Sequence, residues 1–494
     1  MIRPIDNITS ETALENAVSR FREKGIILPT FGQQMHPELI PAKIAERLKD
    51  IGLWEINPLN LFRITWKNEP VEHGGLFGDA NCIELPSLLT GVKARIVLLI
   101  GKWFPTGAHK VGAAYGCLAP RIITGGFDPS YHKAVWPSTG NYCRGGAFDS
   151  KLMGTESVAI LPEEMSSERF AWLRDEIGSE VIATPGCESN VKEIYDKCRE
   201  IRGTRPECII FNQFDEFGNS AWHYNITGQA IEEVYARVKS GKSKFAAYVS
   251  ATGSAGTIAA GDYLRKLVPD IRVVASEALQ CPTLLMNGFG GHRIEGIGDK
   301  HVPWIHNVRN TDVVTAIDDE DCMRLLRLFN ENKGGEYLSF LGLGEEVVSN
   351  LPLIGISGIS NLLSAIKTAR YFELTEDDVI ITIATDSAEM YRSRIDELRE
   401  ARGGYDTLQA VRDFEQCLMG ARCDNMKELS YRYRKAIHNL KYYTWVEQQG
   451  RTTEDLNDLW YDEDKTWKGV HGQAPELDRL IDEFNEATGL LKTL

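Results

Sequence analysis

The sequence predicts an α/β protein in which mostly parallel, twisted sheets are covered by helices. Three observations point there. Short continuous apolar runs recur through the middle of the 494-residue chain, stretches of helical period separate them, and both ends of the chain lack the runs. A strand covered on both faces reads as a continuous apolar segment, and a connection containing a helix is what joins parallel neighbours.

Residues 1 to about 90 read as helix and loop, with proline-bearing segments such as LPTFGQQMHPELIP. Ile96 to Ile100 is the first apolar strand, and another short strand precedes Ser138. SVAIL (Ser157 to Leu161) is a buried strand. In the SSERFAWLRDEIG that follows, Phe170, Leu173 and Ile177 share one helical face and Gly178 is a stop. EVIAT, ECIIF, FAAYVS, IRVVAS and DVIITIA are further short strands separated by helical patterns. After about residue 400 come YRYRKAIHNLKYYTWVEQQG and DLNDLWYDEDKTW, which read as helices with charged faces. Their aromatic residues imply packing, on the core or on a partner subunit. The expected division is a helical extension over 1–90, a catalytic core over 91–400 and a helical extension over 401–494.

Composition narrows the function classes. Hydrophobic residues are 43% and charged residues 25%, ordinary for a globular protein. Asp plus Glu is 70 against 55 for Lys plus Arg, a formal charge of −15. That balance disfavours nucleic acid and anionic membrane surfaces, so an anionic ligand needs a local site of donors. The ten Cys form no CxxC pair and no zinc-spaced cluster with His, so no metal is expected. No signal-like apolar core opens the sequence, and Ile96 to Ile100 is its longest apolar stretch. The expectation is a soluble, reduced, cytoplasmic protein.

Four segments carry chemistry. In IVLLIGKWFPTGAHKVGAAYG, Lys110 stands between a loop and a helix of small residues. Partial burial there would lower its pKa and supply the neutral amine that attacks an aldehyde. A lysine taken alone is far more often a solvated surface group. In VWPSTGNYCRGGA, the residues Ser138, Thr139, Gly140, Asn141 and Tyr142 follow a strand and offer hydroxyl, amide and backbone donors to a carboxylate, or form an ordinary turn. In AAYVSATGSAGTIAAGDYL, the residues Gly253, Ser254, Ala255, Gly256 and Thr257 lie between a strand and a helix. Such a loop can cradle a phosphate with backbone N–H groups, or simply be a tight turn. It has neither the GK[ST] ending of a nucleotide loop nor a clean GxGxxG. In DVIITIATDSAEMY, Ser387 follows a strand end. There it can meet a heterocycle nitrogen or cap the next helix, since Glu389 lies close behind.

In this order the segments resemble the fold-type II pyridoxal-phosphate family, which includes cysteine synthase, cystathionine β-synthase, serine and threonine dehydratases, threonine synthase and tryptophan synthase β. TGAHK looks most like tryptophan synthase β, PSTGNY is similar to the TSGNTG of cysteine synthase, and GSAGT to the GTGGT phosphate loop. IEGIGDKHVP (Ile294 to Pro303), GISGISN (Gly355 to Asn361) and TDSAEMY are similar to three further family segments, so the likeness spans roughly residues 90–400.

The resemblance implies two α/β subdomains with pyridoxal 5'-phosphate between them, and a homodimer. It also implies Lys110 as the Schiff-base residue and the general base, and Ser138, Thr139, Gly140, Asn141 and Tyr142 around a substrate carboxylate. Asn141 would also touch the cofactor ring oxygen. Residues 253–257 would lie on the phosphate and Ser387 on the pyridine nitrogen. A hydroxyl partner there favours expulsion of a β-substituent through an aminoacrylate. The implied activity is β-elimination or β-replacement on a serine- or cysteine-type amino acid. A serine/threonine ammonia-lyase and a non-catalytic subunit of the same fold are the alternatives.

Departures from the family patterns narrow this. Ser138 stands where tryptophan synthase β has the Glu that handles indole. Tyr142, Cys143 and Arg144 follow Asn141 where cysteine synthase has Thr. Arg144 could pair with a second acidic group or lie on the helix exterior.

Overall fold

In the computed structural model, residues 9–138, 140–165, 167–186, 191–297 and 300–492 are described. Their strands are β1 (Cys82–Leu85), β2 (Arg95–Ile100), β3 (Lys133–Pro137), β4 (Glu156–Pro162), β5 (Glu180–Thr184), β6 (Cys208–Ile210), β7 (Lys244–Ala251), β8 (Arg272–Ala278), β9 (Val313–Ile317), β10 (Asp378–Ala384) and β11 (Met426–Glu428). They form a seven-stranded sheet in the order β1-β2-β10-β7-β8-β9-β11 and a four-stranded sheet in the order β5-β4-β3-β6. The smaller sheet is parallel throughout, with Val135 opposite both Val158 and Ile210. The larger is parallel from β2 to β9 and antiparallel at its two edge pairs. The α/β class and the predominantly parallel sheets stand as the sequence predicts.

The apolar runs follow from this layering. Val97 and Leu99 of β2 enter one buried cluster, while Ile96, Leu98 and Ile100 enter another on the opposite face. Val379, Ile381 and Ile383 of β10 alternate with Ile380 and Ala384 in the same way. Side chains alternate faces along a strand, so a strand covered on both sides is apolar at nearly every position, and the buried Thr382 inside β10 donates its hydroxyl to Val249 O at 2.7 Å.

The helix Lys110–Ile123 is almost wholly buried. It lies close against its neighbours because glycines permit it. A Cβ on Gly116 would fall 2.6 Å from the carbonyl of Gly218, and one on Gly145 would fall 2.7 Å from the backbone of Val111. The start of that helix is therefore held tightly between helices Asn141–Leu152 and Phe217–Trp222.

The terminal segments close around this frame. The helix Ala474–Thr488 packs on the helix Glu11–Lys24, with Phe484 edge-on to Phe21 at 5.1 Å. Its Asp478 carboxylate accepts the amides of Phe31 (2.6 Å) and Gly32 (2.9 Å). The aromatic tail packs on its own chain: Trp445 Nε1 donates to Val302 O at 2.9 Å, and the buried Lys441 Nζ to Trp304 O at 2.9 Å and His306 O at 2.7 Å. Each terminal segment also lends an edge strand, β1 or β11, to the larger sheet. Strands of four and three residues are too short for an alternating pattern to reveal them.

Candidate active site

The chemistry-bearing loops all leave the C-terminal ends of parallel strands, the edge where open α/β sheets gather ligands. Residues 101–110 follow β2, 138–141 follow β3, 211–213 follow β6, 252–257 follow β7 and 385–387 follow β10. The loop before Lys110 holds Thr106 at φ 68°, a left-handed backbone that a β-branched residue adopts only under local constraint. The amide of His109 donates to the carbonyl of Thr385 at 3.3 Å and ties this loop to the end of β10.

Lys110 is the first residue of its helix and is buried. Its Nζ donates to Ser254 Oγ at 2.9 Å and to Gln213 Oε1 at 3.3 Å. Burial lowers its pKa from 10.5 to about 8, because a desolvated ammonium loses its hydration. Beside it, His109 is buried with neither ring nitrogen bonded to a group among the described residues, and lies edge-on to His223 at 4.9 Å. Burial and the lysine charge hold its imidazole far below the usual range, so it is neutral.

Lys110, Gly253, Ser254, Ala255 and Thr257 line one narrow cleft with His109, Gly296, Asn361 and Thr385. Ala255 takes the left-handed conformation at φ 61°. Among the described residues no group accepts the amides of Gly253 through Thr257, which leaves a row of donors for an anion. Gly256 lies behind the loop: a Cβ there would fall 2.1 Å from Asn219 Oδ1. Asn219 Nδ2 in turn donates to Ser254 Oγ at 3.0 Å, so Ser254 accepts from both Asn219 and Lys110.

Ser138 is buried, and its Oγ accepts the amide of Gly140 and Gln213 Nε2, both at 3.2 Å. Gln213 thereby joins the substrate-type loop to the lysine. Thr139 lies outside the described residues. Gly140 precedes the helix Asn141–Leu152, whose first amides meet no side-chain cap among the described residues and can donate to an anion. Asn141 Nδ2 donates to Asp386 Oδ2 at 2.6 Å, and Tyr391 OH donates to the same oxygen at 2.7 Å. Burial raises the Asp386 carboxyl above the usual carboxylate range. The ring of Tyr142 turns into the core and stands edge-on to Trp136 at 5.3 Å, so its backbone amide is what it presents at the helix start. Ser387 is buried at the start of the turn Ala388–Tyr391, and its side chain does not cap that turn. Asn141 and Ser387 thus flank Asp386, the one through a hydrogen bond and the other as its chain neighbour, next to the cleft that Thr385 lines.

Gln213 and Asn219 belong to no segment singled out for its chemistry, while Thr385 and Asn361 stand inside TDSAEMY and GISGISN without being singled out themselves. Position is the signal that reaches Gln213 and Thr385, since both stand just past the C-terminal end of a parallel strand, β6 and β10. Arg144 is buried rather than on the helix exterior.

Comparison with known proteins agrees with this geometry. The sequence profile described as pyridoxal-phosphate dependent enzyme matches residues 75–335. A probable cysteine synthase of Bacillus subtilis is 28% identical over 323 residues, covering 64% of this chain and 94% of the relative. The cystathionine beta-synthase of Saccharomyces cerevisiae is 26% identical over 320 residues, 63% of this chain and 59% of the yeast protein. Among solved structures, the O-acetyl serine sulfhydrylase isoform 3 of Entamoeba histolytica superposes with a TM-score of 0.56 at 22% identity, over 69% of this chain and 94% of that one.

Proposed function

Since the chain belongs to the pyridoxal-phosphate dependent enzyme family, we propose that it catalyses β-elimination or β-replacement on a serine- or cysteine-type amino acid. The relatives named as cysteine synthase and cystathionine beta-synthase support this class. The observation that carries it is the contact chain from Ser138 through Gln213 to Lys110, which joins a carboxylate-type loop to a buried amine.

The residues fit the cofactor. The unbonded amides of Gly253 through Thr257 suit its phosphate, and Lys110 suits its aldehyde. Buried polar atoms on His109 and Asn361, without a partner among the described residues, line the cleft and suit a polar ligand. Ser387 is the residue proposed for the ring nitrogen. Bound there, pyridoxal phosphate supplies an electron sink for charge developing at the substrate Cα.

The chain's own residues then divide the work. Ser138, Asn141 and the first amides of helix Asn141–Leu152 hold the substrate carboxylate. The Lys110 amine takes the proton from Cα, and the electron pair of the Cβ–substituent bond leaves with the substituent as a Cα–Cβ double bond forms. In replacement, a nucleophile bonds to Cβ and Lys110 returns its proton to Cα. In elimination, water completes the reaction to a 2-oxo acid and ammonia. An amine poised at about 8 can hold and release a proton near neutral pH.

The test is borohydride reduction of the purified holoenzyme followed by peptide mapping, then turnover of O-acetyl-L-serine with and without sulfide. The expected result is cofactor fixed on Lys110, cysteine formed with sulfide and pyruvate without it. Fixation on another lysine, or undiminished turnover by Lys110→Ala, would sink the assignment. Threonine as the best substrate, giving 2-oxobutyrate, would replace it with an ammonia-lyase.

A further inference from the structure

Arg144 is a buried cation that the reaction outlined above does not use. It lies one helical turn beyond Asn141, on the same face, and is 5% exposed. Among the described residues no carboxylate pairs with it. Its guanidinium lies over the rings of Trp172 (4.6 Å) and Trp54 (5.6 Å), Nη1 meets Met390 Sδ at 3.2 Å, and Nε has no partner among the described residues. Thioether sulfur is a weak acceptor, so the fork is held in place but poorly satisfied.

Its surroundings adjoin the loops that frame the site. Met390 stands three residues after Ser387. Trp54 covers the loop that leads to Lys110, since a Cβ on Gly107 would fall 2.8 Å from its ring. Trp54 is itself 42% exposed and marks a side open to solvent. The neighbouring guanidinium of Arg169 touches Gly140, but Glu295 pairs with it at 2.9 Å. The unspent charge is therefore that of Arg144. A desolvated guanidinium left without an anion is costly, and its planar fork matches carboxylate and phosphate groups in two-point contact.

We propose that Arg144 is a specificity determinant that receives a second anionic group, beyond the α-carboxylate, carried on the β-substituent or on the incoming nucleophile. Met390 Sδ and the two indoles hold the fork open for that group, which displaces only the sulfur contact. This inference rests on the amino-acid reaction proposed above.

Two pairs of reactants separate the two sources in the holoenzyme. O-phospho-L-serine against O-acetyl-L-serine, each with sulfide, varies the leaving group. Mercaptoacetate against 2-mercaptoethanol, each with O-acetyl-L-serine, varies the nucleophile. Wild type is expected to favour the anionic member of at least one pair at least tenfold in kcat/KM. Arg144→Gln should reduce that ratio at least tenfold, and Arg144→Lys should restore part of it. A shift in the first pair places the anion on the leaving group, and in the second on the nucleophile. No preference in wild type, or a ratio that Arg144→Gln leaves unchanged, would overturn the proposal. Equilibrium dialysis of L-aspartate against L-alanine reads the same discrimination without turnover. Protein that turns over no donor yet binds aspartate through Arg144 would overturn the reaction and leave the arginine's role standing.

Discussion

Replacing Lys110 by Met should stabilise the cofactor-free protein at pH 7, because the fold holds a charged amine away from water. Burial carries the lysine from 10.5 to about 8, which corresponds to a penalty of about 3 kcal/mol for keeping it protonated. Methionine is close in length and volume, so little repacking is expected. The substitution also removes the donor to Ser254 and Gln213, at about 1 kcal/mol for each contact. The expected net gain is about 1 kcal/mol at pH 7.

The pH dependence distinguishes this cause from any other. Below about pH 8 the lysine is protonated in both folded and unfolded protein, and the penalty is complete. Between about 8 and 10.5 the folded amine is neutral while the unfolded one stays charged, so wild-type stability rises with pH. Urea unfolding of both proteins at pH 7, 8 and 9.5 measures the gap. The advantage of Lys110→Met should shrink from pH 8 upward and reverse once the penalty falls below the lost hydrogen bonds. A variant less stable than wild type at pH 7, or a gap that ignores pH, would refute the reasoning.

Three further outcomes are expected. Gln213→Ala removes an acceptor from the charged amine and a donor from Ser138. The pH midpoint of cofactor attachment should therefore move down and the amino-acid KM rise about tenfold, whereas an unchanged pH profile would deny the link. Gly256→Ala places a Cβ 2.1 Å from Asn219 Oδ1, so Asn219 must leave Ser254. Cofactor absorbance surviving dialysis should fall at least tenfold, and full retention would show that the loop tolerates the shift. Phe484→Ala opens the contact with Phe21 and should cost about 3–5 kcal/mol. Limited proteolysis should then cut within helix Glu11–Lys24, and resistance equal to wild type would show that this docking is dispensable.

What the sequence reveals of the fold depends on how each element is buried. β2, β7 and β10 are legible because helices cover both faces of their sheet, which makes most of their buried residues apolar. β1 and β11 are not, because an edge strand of three or four residues is placed by its neighbour's hydrogen bonds rather than by its own pattern. The tail's aromatics announce packing without naming a surface. Trp445 and Lys441 find theirs in the backbone carbonyls of 302–306, and carbonyls leave no mark on composition.

The site divides along the same line. Residues that work through backbone are visible, since a phosphate-type loop must have small residues wherever a side chain would collide. Gly253, Ala255 and Gly256 stand out for that reason. Residues that work through a side chain need only the right strand end and the right phase. Gln213 is an ordinary glutamine in FNQFDE until β6 pairs with β3, and that pairing brings residues 211–213 beside Ser138. Arg144 is the opposite case. The sequence shows it as a charge near the loop and leaves its face of the helix open. Trp54, ninety residues earlier in the chain, and Trp172 settle that face by enclosing the guanidinium. A charge so enclosed, with no carboxylate paired to it among the described residues, is better explained by a ligand than by stability, because a stabilising role would have brought a carboxylate with it.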